Sequence, residues 1–125
     1  MQTTDARTAV RAALGELHQA EDGEVVVDSG LSYAAGDPVR IRVRRRGHRY
    51  DLSDDGAATS RADRPQGWLE VADRVVAVGG FNVNRRGVVF VPVVEGRDIA
   101  ELAMRLAEAS LDVYLALLDL QDAHS

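Results

Sequence analysis

The clearest hydrophobic pattern in the chain lies near its C-terminus. Between residues 97 and 121, apolar side chains recur at steps of three, four and seven, which places them on one side of a helix. We call these residues the first row: Ile99, Leu102, Leu106, Val113, Leu117 and Leu120. No Pro or Gly interrupts the segment, and Asp98 suits the positive end of a helix dipole. The pattern predicts a closing helix over about 97–121.

The same predicted helix carries a second apolar row, formed by Met104, Leu111, Leu115 and Leu118. At about 100° per residue, this second row lies almost opposite the first. A helix that covers a small sheet needs only one apolar stripe, so the second row needs another partner. That partner is either an N-terminal helix of the same chain or a second copy of the protein, and the sequence leaves both open.

Shorter patterns predict two further helices. Helical spacing predicts an N-terminal helix over about 5–19, through Val10, Ala13, Leu14 and Leu17. A middle helix is predicted from Pro65, which suits a first turn, to about Val78, where Gly79 and Gly80 end it. The Val-rich end of this segment also fits a strand, which is the alternative for it.

Five segments predict strands, over residues 24–28, 39–45, 49–52, 81–84 and 87–93. Residues 29–38 and the polar stretch 53–64 are predicted loops. The resulting order α-β-β-β-α-β-β-α predicts a single α+β domain over 1–125, with an antiparallel five-stranded sheet and helices packed against it.

Composition limits the chemistry of the chain. There is no cysteine among the 125 residues, which excludes disulfides, thiolate metal sites and cysteine nucleophiles. The net charge of −5 argues against a general nucleic-acid coat. No apolar run is long enough to cross a membrane or act as a signal peptide, so a cytoplasmic protein without membrane contact is expected. Rich in Ala, Arg and Val and without Lys, the composition is typical of a GC-rich bacterial genome.

Three carboxylates lie close together in the turn after the third predicted strand. Asp51, Ser53 and Asp55, followed by Gly56, match the start of an EF-hand-type calcium loop. The match then fails, because position twelve falls on Ala62 where a bidentate Glu is needed. The favoured interpretation is a turn in which Asp side chains accept hydrogen bonds from nearby backbone N–H groups and Gly supplies positive φ. No metal or other cofactor is therefore predicted.

Arginines alternate with apolar residues along the second predicted strand. Arg40, Arg42 and Arg44 share one face, and Arg46 continues the row into the turn at Gly47. Such a basic patch can bind phosphates or carboxylates of a nucleic acid or an acidic partner. The alternative is a solvated face whose arginines pair with the nearby Asp residues. Tyr50 is the only aromatic residue near the patch, so a nucleic-acid surface is possible but not favoured.

No catalytic constellation is evident in the sequence. His18, His48 and His124 are too scattered for a metal site, and there is no nucleophile elbow or phosphate-binding glycine loop. Asp54 and Asp55 could meet Glu70 in space, but adjacent residues on an extended chain point apart. A non-enzymatic role is therefore predicted.

The hairpin that ends in Leu52-Ser53-Asp54-Asp55-Gly56 resembles an uncharacterised prokaryotic family with a Leu-(Ser/Thr)-Asp-Asp-Gly motif. The resemblance continues through the middle helix, the short hairpin and the Leu-rich closing helix. It implies this layout and no specific role. Separately, the element order resembles the type III secretion chaperone-like fold and its YbjN-type relatives, which are small, acidic, often dimeric and bind other proteins.

These observations predict a protein-binding homodimer, chaperone- or adaptor-like, with an α+β secretion-chaperone-like fold. The predicted interface is the second row. The alternative is a nucleic-acid-associated regulatory module that uses Arg40, Arg42, Arg44 and Arg46.

Overall fold

The structure is a computed structural model that describes Ala12 and residues 23–124. Its strands are β1 (Glu24–Ala34), β2 (Asp37–Arg46), β3 (Arg49–Ser53), β4 (Asn82–Val83) and β5 (Val89–Val94). Its helices are α1 (Ala57–Arg61), α2 (Trp68–Ala77) and α3 (Ile99–Ala123), the last preceded by a 3₁₀ turn at Gly96–Asp98. The N-terminal helix predicted over 5–19 lies outside the described residues.

The five strands form one antiparallel sheet in the order β1-β2-β3-β5-β4. In this register Val27 is opposite Ile41, and Val43 is opposite Leu52, so alternate apolar residues share one face. All four side chains are buried. The predicted α+β class, the five antiparallel strands and the closing helix are confirmed.

β1 is longer than predicted, because pairing continues through the expected loop to Ala34. The register passes from Asp28 opposite Arg40 to Ser32 opposite Pro38, which leaves three residues of β1 against one of β2. Gly30 takes a φ of 85° in this bulge, and its N–H donates to Asp28 Oδ1 at 2.9 Å. The polar, Gly-containing stretch for which the sequence predicted a loop forms this bulge within the strand.

The predicted loop over 53–64 is wrong in part, since it contains the short helix α1. Ala58, Thr59 and Ala62 are buried there. Thr59 Oγ1 donates to Gly87 O at 3.0 Å, which ties α1 to the turn between β4 and β5. α1 is short and mixes polar and small residues, so its few core contacts leave no helical period in the sequence.

The closing helix α3 lies against the sheet through its first row. Ile99, Leu106, Val113 and Leu117 are at most 1% exposed, while Leu102 and Leu120 are half-buried. Small residues between them are also buried: Ala103, Ala107, Ala109 and Ser110. α2 packs along one flank of α3 and buries Ala72 and Val76. Burial of four large side chains of the first row at about 1.5–3 kcal/mol each makes α3 the main element that closes the core.

Candidate binding surfaces

The second row lies on the flank of α3, between its buried face and its charged strip. Leu115 is 48% exposed, and Met104, Leu111 and Leu118 are half-buried. Leu111 and Leu118 contact the edge of the core. The second row is therefore partly covered by its own chain, whereas a position directly opposite the first row would leave it uncovered. The result is a partly covered apolar surface about four turns long.

The basic patch lies on the sheet face opposite the core. Arg40 is opposite Asp28 of β1, Arg42 is opposite Ser53 of β3, and Arg44 is opposite both Glu24 and Asp51. Since the intervening Val39, Ile41 and Val43 are fully buried, the arginines must point to the other side of the strand. The sequence prediction that the alternating arginines share a face agrees with this register.

Carboxylates compensate much of this charge. Arg42 Nε donates to Asp55 Oδ2 at 2.8 Å and Arg42 Nη1 to Glu24 Oε1 at 3.1 Å. Arg46 Nη2 lies 2.6 Å from Asp51 Oδ2. The hydrogen bond that Arg42 donates to Asp55 raises the pKa of the Arg42 guanidinium. The nucleic-acid role of the patch stays a prediction, and this pairing reduces the local positive charge on which it depends.

The motif 52–56 is built around Asp54, which is only 2% exposed. Its Oδ1 accepts hydrogen bonds from the backbone N–H groups of Gly56 at 2.8 Å and Val89 at 2.9 Å. Asp55 and Gly56 follow with φ values of 59° and 81°. Burial raises the pKa of Asp54, although the hydrogen bonds that it accepts act in the opposite direction. The motif thus joins β3, α1 and β5, as the turn interpretation predicts for the Asp side chain and the glycine.

Asp54 also ends a buried hydrogen-bond chain. Ser110 Oγ of α3 donates to Asp54 Oδ2 at 2.6 Å, and Tyr33 Oη lies 2.7 Å from Ser110 Oγ. Because Ser110 gives its only hydroxyl hydrogen to Asp54, Tyr33 must be the donor to Ser110. Burial raises the pKa of Tyr33 to about 12, which keeps this donor protonated. No sequence pattern pointed to Tyr33 or Ser110, since polar residues within apolar periods give no signal of their own.

Asp51 and Asp55, the residues of the calcium-loop alternative, are used in other contacts. Asp51 Oδ1 accepts from the backbone N–H of Val93 at 3.2 Å and its Oδ2 binds Arg46. Asp55 Oδ1 accepts from Ser53 Oγ at 3.2 Å and its Oδ2 binds Arg42. Within the described part of the chain, no group of three or more His, Cys, Asp or Glu residues is arranged to hold a metal ion.

The other polar candidates do not meet. Glu70 is exposed on α2 and pairs with Arg74 at 3.6 Å, whereas Asp54 is buried under α3. His48 lies exposed in the turn between β2 and β3, and His124 is exposed after α3. His18 lies outside the described residues. Among the helices that are described, none has the length and apolar content of a membrane span.

No protein-family model, curated protein or solved structure matches the chain. The resemblance to the Leu-(Ser/Thr)-Asp-Asp-Gly family and to the secretion-chaperone-like fold therefore stays a prediction.

Proposed function

We propose that the protein is a non-enzymatic, protein-binding domain that acts as a homodimer, with α3 at the interface, in the manner of a chaperone or adaptor. The observation that carries this proposal is the second row. Its four apolar side chains remain partly exposed on a helix whose first row already covers the sheet. Contiguous apolar surface of this kind is typical of interaction sites.

The spacing of the second row supports a second copy as the occupant. Met104 and Leu118 lie seven residues before and after Leu111, so these three positions are symmetric about Leu111, whereas the mirror position of Leu115 is the buried Ala107. In a two-fold interface the same patch serves both copies. An antiparallel pair of α3 helices centred on Leu111 would place Met104 of one copy against Leu118 of the other. An interface limited to one helix per copy falls at the small end of the size range, so we expect weak, reversible association.

Sedimentation equilibrium over a range from low to high micromolar concentration tests the proposal. We expect the average mass of the wild type to rise from monomer towards dimer. Leu115→Glu should keep the chain monomeric, because a charge one turn from the centre of the interface would be desolvated without a partner. Val78→Glu is the matched control, since Val78 is 91% exposed but lies at the end of α2, away from the row.

A wild type that stays monomeric at high micromolar concentration would contradict the proposal. So would a loss of association in Val78→Glu as large as that in Leu115→Glu. Circular dichroism of Leu115→Glu, at the most exposed position of the row, tests the other occupant, a segment of the same chain. If this variant unfolds rather than dissociates, the second row is covered within one chain, and the dimer must be abandoned.

A further inference from the structure

A groove of about 250 Å³ crosses the exposed sheet face next to β2. Arg42, Arg44 and Arg46 line it, together with Ser53. The apolar side chains of Phe90 and Pro92 contribute to its wall from β5. The groove lies on the face of the sheet opposite α3, so it is separate from the second row. We propose that it binds a small phosphate monoester that carries a compact apolar group.

Arg44 is the residue that leads to this proposal. It is directly opposite two carboxylates, Glu24 on one neighbouring strand and Asp51 on the other. Yet Glu24 is bound by Arg42 and Asp51 by Arg46. Among residues 23–124, Arg44 has no ion pair and no side-chain hydrogen bond, and it is exposed. Its five N–H donors are therefore available to an incoming anion.

The charge around the groove favours a small anion over a nucleic-acid strand. Three guanidinium groups, from Arg42, Arg44 and Arg46, line the groove with two carboxylates, Asp51 and Asp55. Glu24, bonded to Arg42, adds a third carboxylate beside the groove, so the local charges balance, and Arg44 is the one guanidinium of the groove without an ion pair in the described chain. A single phosphate group can bond to Arg44 in bidentate fashion while its other oxygens face the flanking arginines. A polyanion that extended along the face would meet Asp28 beside Arg40 and the carboxylates paired to Arg42 and Arg46.

The wall formed by Phe90 and Pro92 indicates the rest of the ligand. Phe90 is half-buried, and Pro92 is exposed at the bulge of β5. An aryl or short alkyl ester would cover these side chains while its phosphate lies against Arg44. Free inorganic phosphate would lack this contact, so we expect it to bind more weakly.

Titration of the isotope-labelled full chain with phenyl phosphate, followed by NMR of backbone amides and arginine Nε–H groups, tests this site. We expect the largest shifts at Arg44, Ser53 and Phe90, and at least about tenfold weaker binding in Arg44→Gln. Arg40→Gln is the matched control. Arg40 is exposed on the same strand and face, and it too has no ion pair in the described chain, but it lies outside the groove. This variant should bind as the wild type does.

Four results would overturn the proposal. The first is an absence of shifts with phenyl phosphate, and the second is an equal loss in Arg40→Gln and Arg44→Gln, which would mean non-specific attraction. The third is equal affinity for benzoate, which would remove the phosphate assignment. A single-stranded oligonucleotide that bound more tightly than phenyl phosphate, with a steep dependence on salt, would replace the small ligand with a nucleic acid.

Discussion

Ser110 Oγ donates a hydrogen bond of 2.6 Å to Asp54 Oδ2, which joins the middle of α3 to a turn that lies 56 positions earlier in the chain. Both residues are buried. Asp54 also holds the backbone N–H of Val89, so one carboxylate connects the closing helix, the motif turn and β5. The described residues contain no buried side-chain N or O atom without a hydrogen-bond partner. The network is therefore complete, and its loss should be costly.

Removal of the Asp54 carboxylate should destabilise the protein strongly, whereas its replacement by an amide should not. Asp54→Ala leaves two buried N–H groups and the Ser110 hydroxyl without an acceptor, and we expect a loss of about 3–5 kcal/mol in the free energy of unfolding. Asp54→Asn keeps an oxygen for both N–H groups and can donate its amide hydrogen to Ser110 Oγ. Its loss should be smaller by at least about 2 kcal/mol. Urea denaturation measures both, and equal losses would contradict the network.

The free energy of unfolding should depend on pH through the titration of Asp54. Because burial raises its pKa above the ordinary 3.8, the folded state holds the proton more tightly than the unfolded state does. The stabilisation from this group is complete below 3.8 and is lost as pH rises through the folded pKa. The free energy of unfolding of the wild type should thus increase relative to that of Asp54→Asn on acidification from neutrality towards 3.8.

Comparison of the wild type with Asp54→Asn also removes the contribution of Asp37, which changes the free energy of unfolding with pH in the opposite direction. The hydrogen bond from Arg61 lowers the pKa of Asp37, whose stabilisation is therefore lost as pH falls through its folded pKa. This pair is present in both proteins, so it cancels in the difference. A difference that shrinks on acidification would mean that the pKa of Asp54 is lowered rather than raised.

Gly87 should resist substitution for two separable reasons. Its φ of 84° disfavours any side chain, and a Cβ there would overlap Thr59 Oγ1 and lie 3.0 Å from Arg64 Nη2. Gly36 has a similar φ of 77°, but its Cβ would meet no atom within 4 Å. We expect Gly36→Ala to lower the free energy of unfolding by about 1 kcal/mol. Gly87→Ala should lower it by at least about 1 kcal/mol more, because the overlap must also be relieved. Equal losses would show that the turn can shift freely.

Replacement of Val93 by glycine should raise the free energy of unfolding, whereas the same replacement of a comparable exposed valine should not. It has a φ of 59°, which is strained for a β-branched residue, and its side chain is 65% exposed. Val93→Gly removes this strain and keeps the N–H that donates to Asp51 Oδ1. Val26, 48% exposed in β1 and without positive φ, is the control. In thermal or urea unfolding, the free energy of unfolding of Val93→Gly should be at least about 1 kcal/mol higher than that of Val26→Gly. The opposite order would contradict the proposed strain at Val93.

The sequence was sufficient for those elements whose residues follow a regular period. The first row of α3 and the alternation of Val39, Ile41 and Val43 with arginines both repeat because one side of the element is buried. Asp54 could be placed in a turn from its neighbours, because Asp followed by Asp-Gly favours backbone capping and positive φ. Such patterns are local, so they can be read without knowledge of the rest of the chain.

Only the tertiary structure decided which residues meet across long separations. The bulge that extends β1, the hydrogen bond that ties α1 to the turn between β4 and β5, and the contact of Ser110 with Asp54 depend on partners from 10 to 56 residues away. The same holds for Arg44, whose neighbours in the register are bonded to Arg42 and Arg46 instead. The sequence by itself determined which face of each element is apolar. The fold decided which polar groups are paired, because pairing depends on distances of a few ångströms that a period along the chain does not encode.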